Sequence, residues 1–163
     1  MKTAAFWIST FAVFGVVNAM IAAKEATLRN GVTMYLELAP VDPRSLMQGD
    51  YMALDYELER NAMRSGPPKN RGAVVVTLDE QKVAHFVRFH QGEPLAPGEH
   101  LLRYRVTRNG LTIGSNAFFF QEGHGDHYAG ARYGEYKVDP SGTCLLVGLR
   151  NPDFSRAGPP EGQ

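Results

Sequence analysis

The N-terminal part of the chain has a continuous apolar pattern with no polar face. Residues 4–23 contain no charged side chain, and their large apolar residues fall on every side of a helix. A helix of this length is about 30 Å long, which matches the hydrocarbon core of a bilayer. The pattern predicts one N-terminal transmembrane helix in contact with lipid through residues 4–23, so residues 1–24 form a membrane anchor or signal segment.

Two other interpretations of this segment stay open. Val17, Asn18 and Ala19 have the small residues that precede a signal-peptide cleavage site. A buried core helix is the third interpretation, but apolar residues on all faces argue against it. Lys2 favours a cytoplasmic N-terminus, whereas Lys24 weakens that charge signal. An export-like segment usually carries the downstream domain out of the cytoplasm, so we expect a single-pass protein of the inner (cytoplasmic) membrane with its domain facing the periplasm or outside.

After residue 29 the pattern changes to strict alternation of apolar and polar residues. Residues 31–39 place Val32, Met34, Leu36 and Leu38 on one face, and residues 51–59 do the same with Met52, Leu54, Tyr56 and Leu58, as half-buried antiparallel strands do. Further strand-like segments lie at residues 74–78, 82–90, 102–106, 116–121, 136–138 and 143–149. The expected fold is mainly β, an antiparallel sandwich or partly open barrel of about eight or nine strands over residues 25–150.

The remaining segments are predicted to be turns, one short helix and a tail. Residues 61–72 contain Gly and Pro and are expected to form a polar loop. Asp126 is expected to cap a short helix within residues 122–133. Residues 151–163 are rich in Pro and Gly and are expected to be a disordered tail.

Charge and cysteine content exclude some functions. Lys plus Arg and Asp plus Glu are both 17, and they are interleaved along the chain. Without a run of cations, the sequence argues against a nucleic-acid partner. The one cysteine, Cys144, cannot form an intramolecular disulfide and is interpreted as a core residue of a strand.

The connection between the first two predicted strands contains the most specific motif. Pro43 restricts Asp42 to extended conformations, and Arg44 follows. The motif then continues into a string that resembles the GDYXXLXY family at every fixed position. Those positions are Gly49, Asp50, Tyr51, Leu54 and Tyr56. The resemblance extends over residues 24–150.

The resemblance implies a membrane-anchored bacterial protein that works beside a polytopic membrane protein. Family members have no established catalytic residues, so none is assigned to this chain, and no cofactor is expected. The predicted function is an envelope-facing binding or assembly module with an integral membrane partner. Leu54 and Tyr56 lie on the predicted core face, whereas Asp50 and Tyr51 are candidates for a turn network or a contact surface.

Five residues form the candidate binding surface or network: Asp42, Arg44, Asp50, Tyr51 and Arg132. Ion pairing that fixes the connection between two strands is the favoured interpretation, because buried charges must be paired. The aromatic run at residues 118–120 is a second candidate. A strand cannot hide all three rings on one face, so Phe119 is either packed beneath another element, which we favour, or exposed as an anchor.

Two enzymatic alternatives are considered. An envelope hydrolase of the Ser-Lys type would use Ser45 and Lys82, but Lys82 comes after a polar turn and is expected to be solvated and charged. A metal-dependent enzyme would use His124 and His127, with nearby carboxylates. A solvated surface explains these histidines more simply.

Overall fold

The computed structural model describes residues 2–39, 47–48, 51–67, 69–108 and 110–159. The elements in chain order are α1 (Lys2–Asn30), β1 (Val32–Glu37), β2 (Met47–Gln48), β3 (Tyr51–Ala53), α2 (Glu57–Arg64), β4 (Arg71–Leu78), β5 (Ala84–Phe89), β6 (Glu99–Thr107), β7 (Gly110–Ile113), β8 (Ala117–Phe119), a 3-10 helix (Gly125–Tyr128), β9 (Tyr133–Val138), β10 (Cys144–Arg150) and β11 (Arg156–Ala157).

The strands form three antiparallel sheets that surround one apolar core. Their strand orders are β1-β9-β10-β11, β2-β3-β8 and β5-β4-β6-β7. A bridge between Tyr35 and Val83 connects the first sheet to the third, and a bridge between Leu38 and Tyr56 connects it to the second. The sheets include a half-barrel, which confirms the predicted mainly β fold with an N-terminal apolar helix.

The core is filled mainly by alternate residues of facing strands, as the period-2 pattern predicts, whereas β4 also buries Val75 between Val74 and Val76. Side chains without solvent exposure come from β1, β4, β6, β7 and β9. They include Met34, Leu36, Val74, Val75, Val76, Leu102, Ile113 and Tyr136. Met52, Leu54, Tyr56 and Leu58 are buried as predicted, although they do not all belong to one strand.

Helix α1 is 29 residues long and is joined to the domain at its C-terminal end. Trp7–Asn30 is long and apolar enough to span a membrane, and its apolar window is not buried in the protein. Gly31 donates its N–H to the Thr27 carbonyl oxygen at 2.9 Å. A Cβ on Gly31 would lie 2.4 Å from that oxygen, so only glycine permits this close turn into β1. The helix is consistent with a single-pass membrane anchor.

The second predicted strand is wrong beyond Ala53. Strand β3 ends there, and α2 occupies Glu57–Arg64, where the prediction continued a strand and then a loop. Glu57 and Glu59 lie in the first turn of α2 and Arg64 in the last, an arrangement that the helix dipole favours. The alternation did not distinguish the two conformations, because Leu58 would be buried either in a continued strand or in a helix that begins at Glu57.

Two smaller predictions also need correction. The segment after residue 150 is not a disordered tail over residues 151–159, because β11 pairs with β10 through Ala157 and Leu149. Asp153 stabilises the preceding turn by accepting hydrogen bonds from the backbone and the hydroxyl of Ser155. The predicted short helix is a single 3-10 turn, and Asp126 lies inside it instead of capping it.

Two buried tyrosines connect the sheets at the centre of the core. The hydroxyl oxygens of Tyr56 and Tyr136 are 2.9 Å apart, and their rings meet edge to face at 5.9 Å. The Tyr136 hydroxyl also bonds the backbone N–H and carbonyl of Ser115, both at 3.2 Å. Burial raises the pKa of both phenols, so they remain protonated donors. Gly134 leaves room for the Tyr56 hydroxyl, which lies 2.8 Å from where a Cβ would be.

We predict that Tyr56→Ala lowers the free energy of unfolding by about 3 kcal/mol or more, since a large buried ring is replaced by a cavity. Tyr56→Phe keeps the ring and removes the hydroxyl, so it should cost only about 1 kcal/mol. Thermal unfolding of the detergent-solubilised full chain measures both. An unchanged melting temperature for Tyr56→Ala would show that the core assignment is wrong.

Helix α2 is attached to β7 by a buried carboxyl group that the sequence analysis did not identify. Glu59 is 7% exposed, and its Oε1 accepts a hydrogen bond from the Ile113 N–H at 2.6 Å. Burial raises the pKa of Glu59 to about 8, although the Ile113 hydrogen bond opposes this shift. The nearby charge of Asp55 raises the pKa further. The Glu59 carboxyl therefore stays protonated in the folded protein at pH values at which it is ionised in the unfolded chain.

This proton makes folding stability depend on pH. Between about pH 4.5 and 8 the native state binds a proton that the unfolded state releases, so stability should fall as pH rises and level off above about pH 8. The free energy of unfolding should decline by at most ~1.4 kcal/mol per pH unit. Glu59→Gln keeps an oxygen for Ile113 and should make the decline shallower in denaturant unfolding series.

Glu57→Gln is the matched control, because Glu57 lies on the half-exposed side of the same helix. It should retain the parent's pH profile. If Glu59→Gln and the parent had identical slopes from pH 5 to 8, Glu59 would not be the group responsible.

Candidate functional site

Three of the five predicted site residues lie outside the described part of the chain. Asp42, Arg44 and Asp50 belong to the connection between β1 and β3, and the structure describes only the flanks of that connection and β2 within it. The predicted ion-pair network among them therefore stays a prediction. Tyr51 and Arg132 are described, and they lie in different surroundings.

Tyr51 lies beside an exposed phenylalanine on the small sheet. It pairs with Gln48 on β2 and with Phe119 on β8. The rings of Tyr51 and Phe119 are 5.8 Å apart, and Phe119 is 75% exposed. The Tyr51–Phe119 surface is thus formed by the motif strand and the aromatic run together.

The exposure of Phe119 overturns the favoured prediction that it is buried. Phe118 and Phe120 both pack against the core and contact Tyr128, with ring centroids 5.1 and 5.3 Å away. Because side chains alternate along a strand, the central ring of the run must then point outward. The sequence showed that the three rings could not share a face, but not which face the core would take.

The two strands of this surface are held by the motif itself. Leu54 is buried, and its N–H donates to the Asn116 carbonyl oxygen at 2.9 Å, immediately before β8. Ser115 closes the preceding turn through a hydrogen bond from its hydroxyl to the Ala117 carbonyl oxygen. The Tyr51–Phe119 surface is therefore positioned by a buried residue of the motif.

Arg132 is engaged with the first sheet. Its guanidinium pairs with Glu37 at 2.8 Å, and both side chains are partly exposed. Its N–H donates to the Arg150 carbonyl oxygen, and its own carbonyl accepts the Leu38 N–H. An ion pair as exposed as this contributes under about 1 kcal/mol, so the backbone contacts matter more.

The residues of the enzymatic alternatives do not form a described reaction centre. The rings of His124 and His127 lie 5.7 Å apart, but within the described ranges no group of three His, Cys, Asp or Glu residues could hold a metal ion. Lys82 is exposed at a turn. Ser45 lies outside the described residues. Burial raises the pKa of Cys144 to about 11, so its thiol is protonated and weakly nucleophilic.

A groove beside Phe119 is a feature that the sequence analysis missed. It has a volume of about 440 Å³, and its walls come from the turn before β8 and from β10. Leu145 and Leu146 supply its apolar wall, and Arg105 lies at one end. No local signal predicts it, because its walls are far apart in the sequence and meet only in the folded sheets.

Comparison with known proteins gives one match. Neither a curated protein nor a solved structure matches the chain. The model of one family, described as GDYXXLXY protein, matches residues 13–149, which include the second half of α1 and all strands from β1 to β9. This range covers most of the chain and contains the string from Gly49 to Tyr56. The chain therefore belongs to the GDYXXLXY protein family.

Proposed function

We propose that this protein is a membrane-anchored binding module that contacts an integral membrane partner through the Tyr51–Phe119 surface. The exposed ring of Phe119 is the observation that supports this most directly. Full burial of a phenylalanine side chain contributes about 1.5–3 kcal/mol, and this ring, which is 75% exposed, supplies only a small part of that to the fold. Aromatic residues of this kind often dominate the binding energy of protein interfaces.

The surroundings of Phe119 support the same role. Tyr51 provides a second large ring with a polar tip, in ring contact with Phe119. The adjoining groove offers the apolar side chains of Leu145 and Leu146 next to the polar Asn116. An apolar centre with a polar rim is the usual composition of a protein contact site.

The proposed cellular location rests on α1 and on the family. We place the helix in the inner (cytoplasmic) membrane as an uncleaved anchor, with the domain on the periplasmic side. A polytopic membrane protein is the proposed partner, because the resemblance associates family members with such proteins. Anchoring both proteins in one bilayer raises their effective concentration, so a modest contact surface is sufficient.

The proposal predicts separate effects on binding and folding. Phe119→Ser and Tyr51→Ala should each reduce recovery of the membrane partner by about ten-fold or more, as loss of a central aromatic contact does. Their melting temperatures should stay close to the parent's, since both residues lie outside the core. Affinity purification of the tagged full chain from mild detergent, with quantitative mass spectrometry, measures recovery on the same preparations used for unfolding.

Val87→Ser is the matched control, because Val87 is 43% exposed on β5 in the third sheet. It should retain the partner at the parent level. If Phe119→Ser and Tyr51→Ala also retained it while folded, this surface would not be the binding site. If recovery of the membrane partner fell only in proportion to the loss of thermal stability, the surface would be needed for folding and not for binding.

A further inference from the structure

Three arginines line one groove on the outer face of the third sheet. Arg71 lies on β4, and Arg103 and Arg105 lie on β6. Together with Thr112 and Thr143 they surround a groove with a volume of about 400 Å³. They are distant in sequence and come together because Arg71 pairs with Arg105 in the β4–β6 ladder.

Among the described residues, none of the three arginines forms an ion pair with a carboxylate. Arg103 donates its Nε–H to the Ser141 carbonyl oxygen at 3.0 Å. Asp139 is close enough for its charge to interact with Arg103, and its Oδ1 accepts hydrogen bonds from the N–H groups of Ser141 and Thr143.

The arrangement is unfavourable for the isolated fold. Like charges placed directly opposite each other in an antiparallel ladder are destabilising, and Arg71 faces Arg105 in this way. Guanidinium groups present forked donors that match the oxygens of a phosphate, and a bound anion would remove the repulsion. The groove therefore has the chemistry of a phosphate site.

The groove opens at the end of the domain to which α1 is joined. Strand β1 begins directly after α1, and Val32 pairs with Val138, which in turn pairs with Cys144. Cys144 is thus two strand spacings, or about 10 Å, from the start of β1. Cys144 lines the groove, and the neighbouring Gly142 accepts a hydrogen bond from the Arg103 N–H at 2.8 Å.

The end of the apolar segment is close to the same strands. Lys24 is the first charged residue after residues 4–23, and α1 contacts β9 and β10, the strand that begins at Cys144. The polar headgroup layer adds roughly 5–7 Å beyond the hydrocarbon core on each side of a bilayer. Because the groove is lined by Cys144 at the start of β10, we expect the arginine side chains to reach that layer when α1 spans the bilayer.

We propose that the groove of Arg71, Arg103 and Arg105 binds the phosphate group of an anionic phospholipid at the membrane surface. The headgroup phosphate lies between the guanidinium groups, and the Thr112 hydroxyl lines the groove as a further donor. The Thr143 hydroxyl is already bonded to the Ser141 hydroxyl at 3.0 Å. Arg105 and Cys144 line both this groove and the groove beside Phe119, so the two sites adjoin, but the lipid proposal rests on the three arginines and not on the proposed function. A soluble phosphate has the same chemistry, so the experiment must distinguish the two sources.

Native mass spectrometry of the detergent-solubilised full chain provides the test. Phosphatidylglycerol and phosphatidylcholine are added in separate titrations, and the parent should retain phosphatidylglycerol preferentially. Arg71→Gln and Arg105→Gln should each reduce that retention by about ten-fold, because each removes a charged hydrogen-bond donor. Arg64→Gln, at the exposed end of α2, makes the same charge change away from the groove and should have no effect.

A second measurement on these variants separates binding from folding. Arg71→Gln and Arg105→Gln should melt at or slightly above the parent temperature without lipid, since the like-charge pair is gone. Phe119→Ser should keep phosphatidylglycerol while it loses the protein partner, so failure of one proposal leaves the other testable.

Three results would overturn the lipid assignment. The first is equal retention of phosphatidylglycerol and phosphatidylcholine by the parent. The second is an equal loss of retention in Arg64→Gln and Arg105→Gln. The third is stabilisation by inorganic phosphate alone that displaces the lipid, which would make a soluble phosphate the ligand of this groove.

Discussion

The buried contact between Tyr56 and Tyr136 is the interaction on which the arrangement of the elements depends. The backbone of Tyr56 bridges to Leu38 at the end of β1, and its carbonyl oxygen accepts the first hydrogen bonds of α2. Its ring meets Tyr136 on β9, and the Tyr136 hydroxyl continues to Ser115 before β8. One residue thus connects parts of two sheets and a helix through its backbone and its ring, and both hydroxyls are protonated and satisfied where water is excluded.

This contact gives the family string a physical explanation. Tyr56 occupies the centre of the core, and Leu54 fixes β3 against the turn that leads into β8. Tyr51, the first described residue of the string, lies beside Phe119 at the surface. The buried residues Leu54 and Tyr56 therefore hold Tyr51 in place. A rigid pair of aromatic rings loses little conformational entropy on binding, which suits a contact surface.

The predictable parts of the fold are those where local pattern and burial agree. Strands β1 and β6 alternate strictly, and their alternate residues are buried in the core. The pattern failed at α2 because Leu58 can pack in the core from either a strand or a helix. The carboxyl of Glu59 is buried because the helix places it beside the Ile113 N–H. The pattern failed again after residue 150, where pairing of Ala157 with β10 outweighs a composition typical of loops.

The candidate surfaces were less predictable because they depend on register. Phe119 is exposed only because Phe118 and Phe120 both reach Tyr128. Arg71 and Arg105 are far apart in a sequence whose charges are evenly mixed, and only the β4–β6 register places them opposite each other. A net charge of zero therefore conceals a local cluster of positive charge.

Both proposed sites require that α1 remains part of the protein and holds the domain at the bilayer. The most direct test is the intact mass and N-terminal sequence of the protein recovered from membranes. Membranes washed with alkaline carbonate should retain a chain that still contains residues 4–23. Recovery of a soluble chain that begins at Met20, after cleavage behind Ala19, would contradict the account, because the domain would then have no anchor.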